Sequence, residues 1–321
     1  MEKMRTSYLG IDAGSVGIKM VLVDENEEVI NTHYARNRGI SETVHEGLEA
    51  MSNNTHTVKG VGTTGSGRNF VGMLAGADVV KTEILAHTIG TLHYHPDVRT
   101  ILDIGGEDCK IMSVRNSILE NFVMNSVCGA GTGAVIDSIA TRMGISIEDV
   151  GEIALSHNEK LNFPGKCGVF TQSSVVSRLN TGAAKNNILM GVIRALASNY
   201  LMLGKGINLE PPYVFQGATS QNSALVFALE EQLNHPITIP KYAPFMGAIG
   251  IALMAKAENL GESKFRGYDL QEQNFNTRTV QAGGCENKCE LTFLYQDGQM
   301  AGCIGNRCDN CYPKALNEAE I

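Results

Sequence analysis

The sequence predicts an α/β protein of two similar lobes that face each other across a phosphate-binding cleft. Three observations carry this. The chain has 321 residues, 43% hydrophobic and 19% charged, which suits a soluble protein of about two domains. A strand ending in aspartate, a glycine-bearing turn and two further strands occur twice, at Asp12 and at Asp103. Such an internal repeat makes one architecture of two motifs, aiming two acidic, glycine-lined turns at a shared space that suits a triphosphate with Mg²⁺.

In chain order, Tyr8 to Ile11 reads as an apolar strand and Asp12-Ala13-Gly14-Ser15 as a tight turn. Gly17 to Asp24 is the returning strand and Val29 to Tyr34 a third, so the chain opens on a hairpin-meander. The N–H groups of Gly14 and Ser15 suit a phosphate, and Asp12 a hydrated Mg²⁺. A plain hairpin turn accounts for the same residues. Lys19, on the returning strand, is grouped with the nucleotide-binding residues. Ser41 to Met51 reads as an amphipathic helix and Val58 to Gly62 as a strand, followed by the glycine-rich turn Thr63 to Arg68. Lys81 to His87 opens a helix; His87, His93 and His95 lack ligand spacing and read as ordinary polar residues. The second copy follows: strand Thr100 to Ile104, turn Gly105-Gly106-Glu107-Asp108, and strands Lys110 to Val114 and Ile118 to Met124.

Cys128-Gly129-Ala130-Gly131-Thr132-Gly133 then leads into apolar positions Val135, Ile136, Ile139, Ala140 and Met143 at helical spacing, with Gly144 as a stop. Cys167-Gly168-Val169-Phe170 precedes Val175, Val176 and Leu179, a second helix start. The positive end of a helix favours a thiolate, the metal-binding form. Two thiolates are too few for a four-cysteine site, but a two-fold dimer supplies four. Buried structural thiols fit the same positions. Gly129 to Ala134 also matches a dinucleotide fingerprint, but the acids that should follow, Glu148 and Asp149, read with Ser146 as a capping box. The loop Gly131-Thr132-Gly133 remains available to phosphates of the second lobe.

Ala183 to Leu203 reads as a long helix, and Tyr213 to Phe215 as a buried strand ending in Gln216-Gly217-Ala218-Thr219, where small residues let a purine approach the backbone. Ile237 to Ile239 is a short strand. Phe245 to Ala252, with Gly247, starts a last helix that packs against the cleft. The expected units are a first lobe over 1–99, a second over 100–242, the returning helix over 243–260, and a linker with a cysteine-rich tail over 261–321. In the tail, Glu262 to Thr279 reads as a polar linker. Cys285, Cys289, Cys303, Cys308 and Cys311 flank a hairpin with Asp297-Gly298 at its turn. Zinc or a second iron–sulfur centre suits those thiols equally.

Composition excludes some classes. The net charge is −8 with no Lys/Arg-rich run, so nucleic acid is not an expected partner. No apolar run is long enough to span a membrane, and Met1 to Ser7 is too short and polar for a signal peptide. A cytoplasmic setting is expected, where eight cysteines point to metal or redox use.

The two acidic turns resemble those of the acetate kinase/sugar kinase/heat-shock chaperone/actin (ASKHA) superfamily. With Cys128-Gly-Ala-Gly-Thr-Gly, Cys167-Gly-Val-Phe, Thr64 to Arg68, Glu83-Ile84 and Gly247 to Gly250, the stretch from about residue 7 to 257 resembles the BadF/BadG/BcrA/BcrD ATPase family, activators of 2-hydroxyacyl-CoA dehydratases. The resemblance implies two ATP/ADP sites in a homodimer. It implies one [4Fe–4S] cluster held by Cys128 and Cys167 of each subunit, fed by a donor such as ferredoxin or flavodoxin. One electron then passes at low potential to a dehydratase or related iron–sulfur enzyme. Asp12 and Asp103 would position Mg²⁺ and the attacking water, together with Glu107. Three departures stand out: Glu107 replaces the usual Gln, the adenosine turn reads Gln216-Gly217-Ala218 in place of a Gly-Gly pair, and the short activators lack the tail. The rival expectations are a small-molecule kinase of the same superfamily with a zinc tail, and a nucleotide-dependent metallocluster scaffold.

Overall fold

The structure, a computed structural model, describes residues 5–52, 55–125, 132–163, 168–258, 261–270, 275–281 and 290–304. The repeat read from the sequence is a repeat of topology. Strands β1 (Arg5–Ala13), β2 (Gly17–Asp24), β3 (Val29–Arg36), β4 (His56–Thr64) and β5 (Val79–Val80) form a sheet in the order β3-β2-β1-β4-β5. Strands β6 (Thr100–Ile104), β7 (Cys109–Arg115), β8 (Ile118–Met124), β9 (Tyr213–Gln216) and β10 (Ile237–Thr238) form the second, in the order β10-β9-β6-β7-β8. In both, the first three strands run antiparallel as a meander and the fourth joins the first in parallel. The registers also match: Asp12 faces Lys19, and Asp103 faces Lys110.

Helices cover and join the sheets. In the first lobe, α1 (Ile40–Met51) and α2 (Arg68–Ala75) close a core of Leu9, Ile11, Met20, Leu48 and Val71. In the second, α4 (Gly133–Met143), α5 (Val150–Leu155), α6 (Gly168–Asn180), α7 (Lys185–Leu203) and α8 (Ser223–Leu233) surround a larger core that includes Ile111, Ile139, Leu196, Tyr200 and Phe215. Gly144 ends α4 in the left-handed conformation at φ +64°, the stop its position predicts.

Two helices lie between the sheets. Helix α9 (Met246–Ala257) packs on β1, β2 and β4 and on α3 (Glu83–Tyr94). The far side of α3 packs on the second sheet through Ile84 against Ile101, Met112 and Val214. The two helices cross in backbone contact. A Cβ on Gly250 would overlap the Ala86 carbonyl, and one on Gly90 the Met246 carbonyl. So the small residues of the last helix serve the joint between lobes.

Two expectations need correction. Helix α5 begins at Val150 with Asp149 as its N-cap, so Ser146 caps nothing; its hydroxyl bonds Glu148. The polar linker is a docked segment. Asp78 accepts from Ser263 Oγ at 2.6 Å and Lys264 N–H at 2.8 Å, and Leu270 is buried in the first-lobe core. Beyond it, β11 (Phe275–Gln281), β12 (Glu290–Gln296) and β13 (Gln299–Ile304) form an antiparallel sheet. Asp297 and Gly298 turn the β12–β13 hairpin at φ +50° and +79°, as an Asp-Gly pair favours. No helix among the described residues is long and apolar enough to cross a membrane.

Candidate nucleotide cleft

Each sheet delivers the same parts to one place. The first strand ends in a buried aspartate, Asp12 or Asp103, and the second returns a lysine opposite it. Lys19 Nζ lies 3.5 Å from Asp12 Oδ2, and Lys110 Nζ lies 3.4 Å from Asp103 Oδ2. The fourth strand ends alongside and turns through a left-handed glycine, Gly65 at φ +87° and Gly217 at φ +86°. A Cβ there would stand 2.7 Å from Asp12 Oδ1 or 2.9 Å from Asp103 Oδ1, so both the dihedral and the space call for glycine. The hairpin turns close alike: Gly14 N–H donates to Gly17 O at 3.1 Å and Gly105 N–H to Asp108 O at 2.8 Å, so the Gly14 amide expected to face a phosphate is spent inside its own turn. Their tips meet, with Gly106 packed against the Val16 side chain.

The enclosed cleft has a volume of about 460 Å³ and is lined from both lobes. Among the residues singled out from sequence, Asp12, Gly14, Ser15, Lys19, Asp103, Gly105, Gly106, Glu107, Gly133, Gly217 and Ala218 line it. Gly247 abuts it: its Cβ position is 3.1 Å from Asp12 Oδ2 and 3.0 Å from His87 Nε2. Thr132 is buried at the N-cap of α4. Gly133 and Ala134 donate their N–H groups to the carbonyls of Gly105 (2.9 Å) and Gly106 (2.8 Å), so these two amides fasten α4 to the turn and are not free for phosphate. Gly131, Cys128, Cys167, Cys285, Cys289, Cys308 and Cys311 lie outside the described residues. Cys303 sits in β13 opposite Phe293. Cys109 is buried, and burial above all pushes its thiol up to about 12, so it packs as an apolar group.

Electrostatically the centre is a mixed cluster. Burial pushes the Asp103 carboxyl up, but His87, Lys110 and Lys19 outweigh it and hold it below the ordinary carboxylate range. Burial pulls the Lys19 ammonium down, and Asp12 and Asp103 more than offset this. The first sheet also leaves a buried polar atom to spare: Thr64, opposite Asp12, has a hydroxyl with no partner among the described residues. Two buried carboxylates, lysines, glycine turns and this free hydroxyl fit a triphosphate with a hydrated Mg²⁺.

Three participants were not read as such from the sequence. His87 projects from α3 into the cleft, Lys110 sits against Asp103, and Gln216 packs on His87. The signal for Lys110 was present: the six-residue gap between Asp12 and Lys19 recurs between Asp103 and Lys110.

The BadF/BadG/BcrA/BcrD ATPase family pattern matches residues 9–255. The chain belongs to this family. As a BadF/BadG/BcrA/BcrD ATPase it is 31% identical, over 77% of its length and 96% of the relative's, to the (R)-2-hydroxyglutaryl-CoA dehydratase activating ATPase of Acidaminococcus fermentans. The solved activator of the 2-hydroxyisocaproyl-CoA dehydratase from Clostridium difficile, with bound ADPNP, superposes at a TM-score of 0.73 and 29% identity, covering 78% of this chain and 95% of that one. A ROK-family glucokinase from Streptomyces griseus shares the fold alone, at a TM-score of 0.53 and 14% identity over 78% and 99% of the two chains. The ATPase family member described here thus has the ASKHA fold and is an ATPase, and its docked 261–270 segment and the β11–β13 sheet lie beyond the family match.

Proposed function

We propose that this ATPase uses ATP hydrolysis to drive one-electron transfer from a [4Fe–4S] cluster, shared by two subunits through Cys128 and Cys167, to an iron–sulfur partner of the 2-hydroxyacyl-CoA dehydratase type. The observation that carries the reading is the fastening of α4 to the cleft. The Gly105 and Gly106 carbonyls hold the first two amides of α4, five residues after Cys128. Helix α6, which begins one residue after Cys167, meets α4 where Gln172 Nε2 donates to Ser138 Oγ at 3.0 Å. A change at the Gly105-Gly106 turn, when the phosphate it faces departs, is therefore passed to the helices that follow both cysteines.

The donor set fits the cluster: two thiols per chain precede helix starts, and a two-fold axis makes four. Phe170, three residues after Cys167, is 67% exposed and offers apolar surface to a second copy. When bound, the cluster supplies one low-potential electron. Asp12 and Asp103 hold the hydrated Mg²⁺, Lys19 neutralises phosphate charge, and the Gly14 and Gly105 turns orient the chain of phosphates. An electron donor such as ferredoxin or flavodoxin completes the cycle.

The test is an anaerobic iron and sulfide count on wild type, Cys128→Ser and Cys167→Ser, each also in a chain shortened before residue 275 to separate the tail's thiols. About two irons per chain, half of a four-iron cluster, should vanish in either variant. Iron retained in both shortened variants sinks the proposal.

A further inference from the structure

We propose that His87 is the residue that, with Asp103, grips the attacking water of ATP hydrolysis. The ring is buried in α3 and faces the cleft, where Nε2 lies 4.0 Å from Asp103 Oδ2. That span is too long for a hydrogen bond and suits one water bonded to both atoms at about 2.8 Å each.

The other ring nitrogen fixes the ring's orientation. Gln216 Nε2 donates to His87 Nδ1 at 2.8 Å, and Gln216 Oε1 accepts from Thr91 Oγ1 at 2.5 Å. Thr91 Oγ1 is also 2.7 Å from the His87 carbonyl. The ring is thus held at Nδ1, and Nε2 is turned to the cleft and to Asp103. With Nδ1 an acceptor, Nε2–H donates to the water oxygen. The water gives one hydrogen to the Asp103 carboxylate, which leaves a lone pair of its oxygen facing the cleft.

In the step, the water oxygen bonds to the γ-phosphorus as the bond from phosphorus to the β–γ bridging oxygen breaks. The bonding pair leaves with ADP, and both water protons leave with the released phosphate as H₂PO₄⁻. Glu83, one turn earlier on α3, also lines the cleft, but Arg68 engages its carboxylate at 3.7 Å. Gly247 leaves room beside Nε2, since a Cβ there would stand 3.0 Å from it.

The inference rests on the cleft being the nucleotide site, so binding and turnover are measured separately. Gln at position 87 can place a polar atom near the Nε2 position; Asn reaches only the Nδ1 position. His87→Asn should bind a non-hydrolysable ATP analogue with wild-type affinity and lose at least about 100-fold in kcat, while His87→Gln stays within about tenfold of wild type. Equal losses in both variants, an unchanged kcat in His87→Asn, or a KM rise that matches the kcat loss would overturn the role. If His87→Asn does not fold, Thr91→Val decides: loosening the ring should lower kcat about tenfold at constant KM, and an unchanged kcat counts against the proposal. A wild type that binds no nucleotide would remove the site itself, a failure distinct from the others.

Discussion

Lys19 and Lys110 stand at equivalent places in the two sheets, and their surroundings give them different tasks. Lys110 touches two carboxylates, Asp103 at 3.4 Å and Asp108 at 3.1 Å, and its side chain is 4% exposed. Among the described residues Lys19 is paired with one carboxylate, Asp12, and is 18% exposed, so its charge is the one left over for phosphate. Lys110 is a structural counter-ion. Removing one partner of a buried pair strands the other charge, so Lys110→Met should cost about 3–5 kcal/mol at pH 7. Asp103 sets the pH dependence. Its native pKa is depressed, so its contribution is fully present above the unfolded value of about 3.9 and is lost as pH falls through the native value. The gap between Lys110→Met and wild type in urea unfolding should therefore narrow as the pH drops below about 4. A gap that stays constant into acid would show that Asp103 is not the group left behind.

The hairpin is the element in which the sequence spoke most clearly. The three strands, the aspartate and the glycine turn are contiguous, so spacing alone placed β1 to β3 and β6 to β8. The same holds for the Asp297-Gly298 hairpin and the Gly144 stop, where one dihedral demand selects one residue type. His87 and Gln216 were opaque because their partnership spans 129 positions and becomes visible only when α3 is laid against β9. The small residues of α9 predict packing against the cleft, and their tightest contact is with another helix. A Cβ on Gly250 has the Ala86 carbonyl in its way, one residue before His87. Gly250→Val should push α3 and α9 apart, lower stability by about 1–3 kcal/mol and reduce ATP turnover at least about tenfold through the displaced ring. Thermal melting and steady-state kinetics check this together; a destabilised variant with full turnover would uncouple the crossing from the site.

Across the whole molecule, the segment after α9 was the least legible part. Its composition is polar, which predicts a linker. What docks it lies far away in sequence: Asp78 accepts from Val61 N–H within the first lobe and from Ser263 and Lys264, 185 and 186 residues on. Arg266 N–H donates to the Ala75 carbonyl, Phe265 and Tyr268 meet edge to face, and Arg266 reaches Gln296 in the tail sheet. The tail sheet is thereby tied to the first lobe, away from the cleft, since none of these residues lines it. Asp78→Ala removes the acceptor of both tail bonds, and charge-assisted bonds contribute about 1.5–3 kcal/mol each before compensation. Limited proteolysis of this variant should cut between residues 261 and 281 well before wild type does, while ATP turnover stays within about twofold because the carboxylate is remote from the phosphates. Equal protection in the two proteins would mean that the buried Leu270 side chain, and not the Asp78 clamp, holds the segment in place.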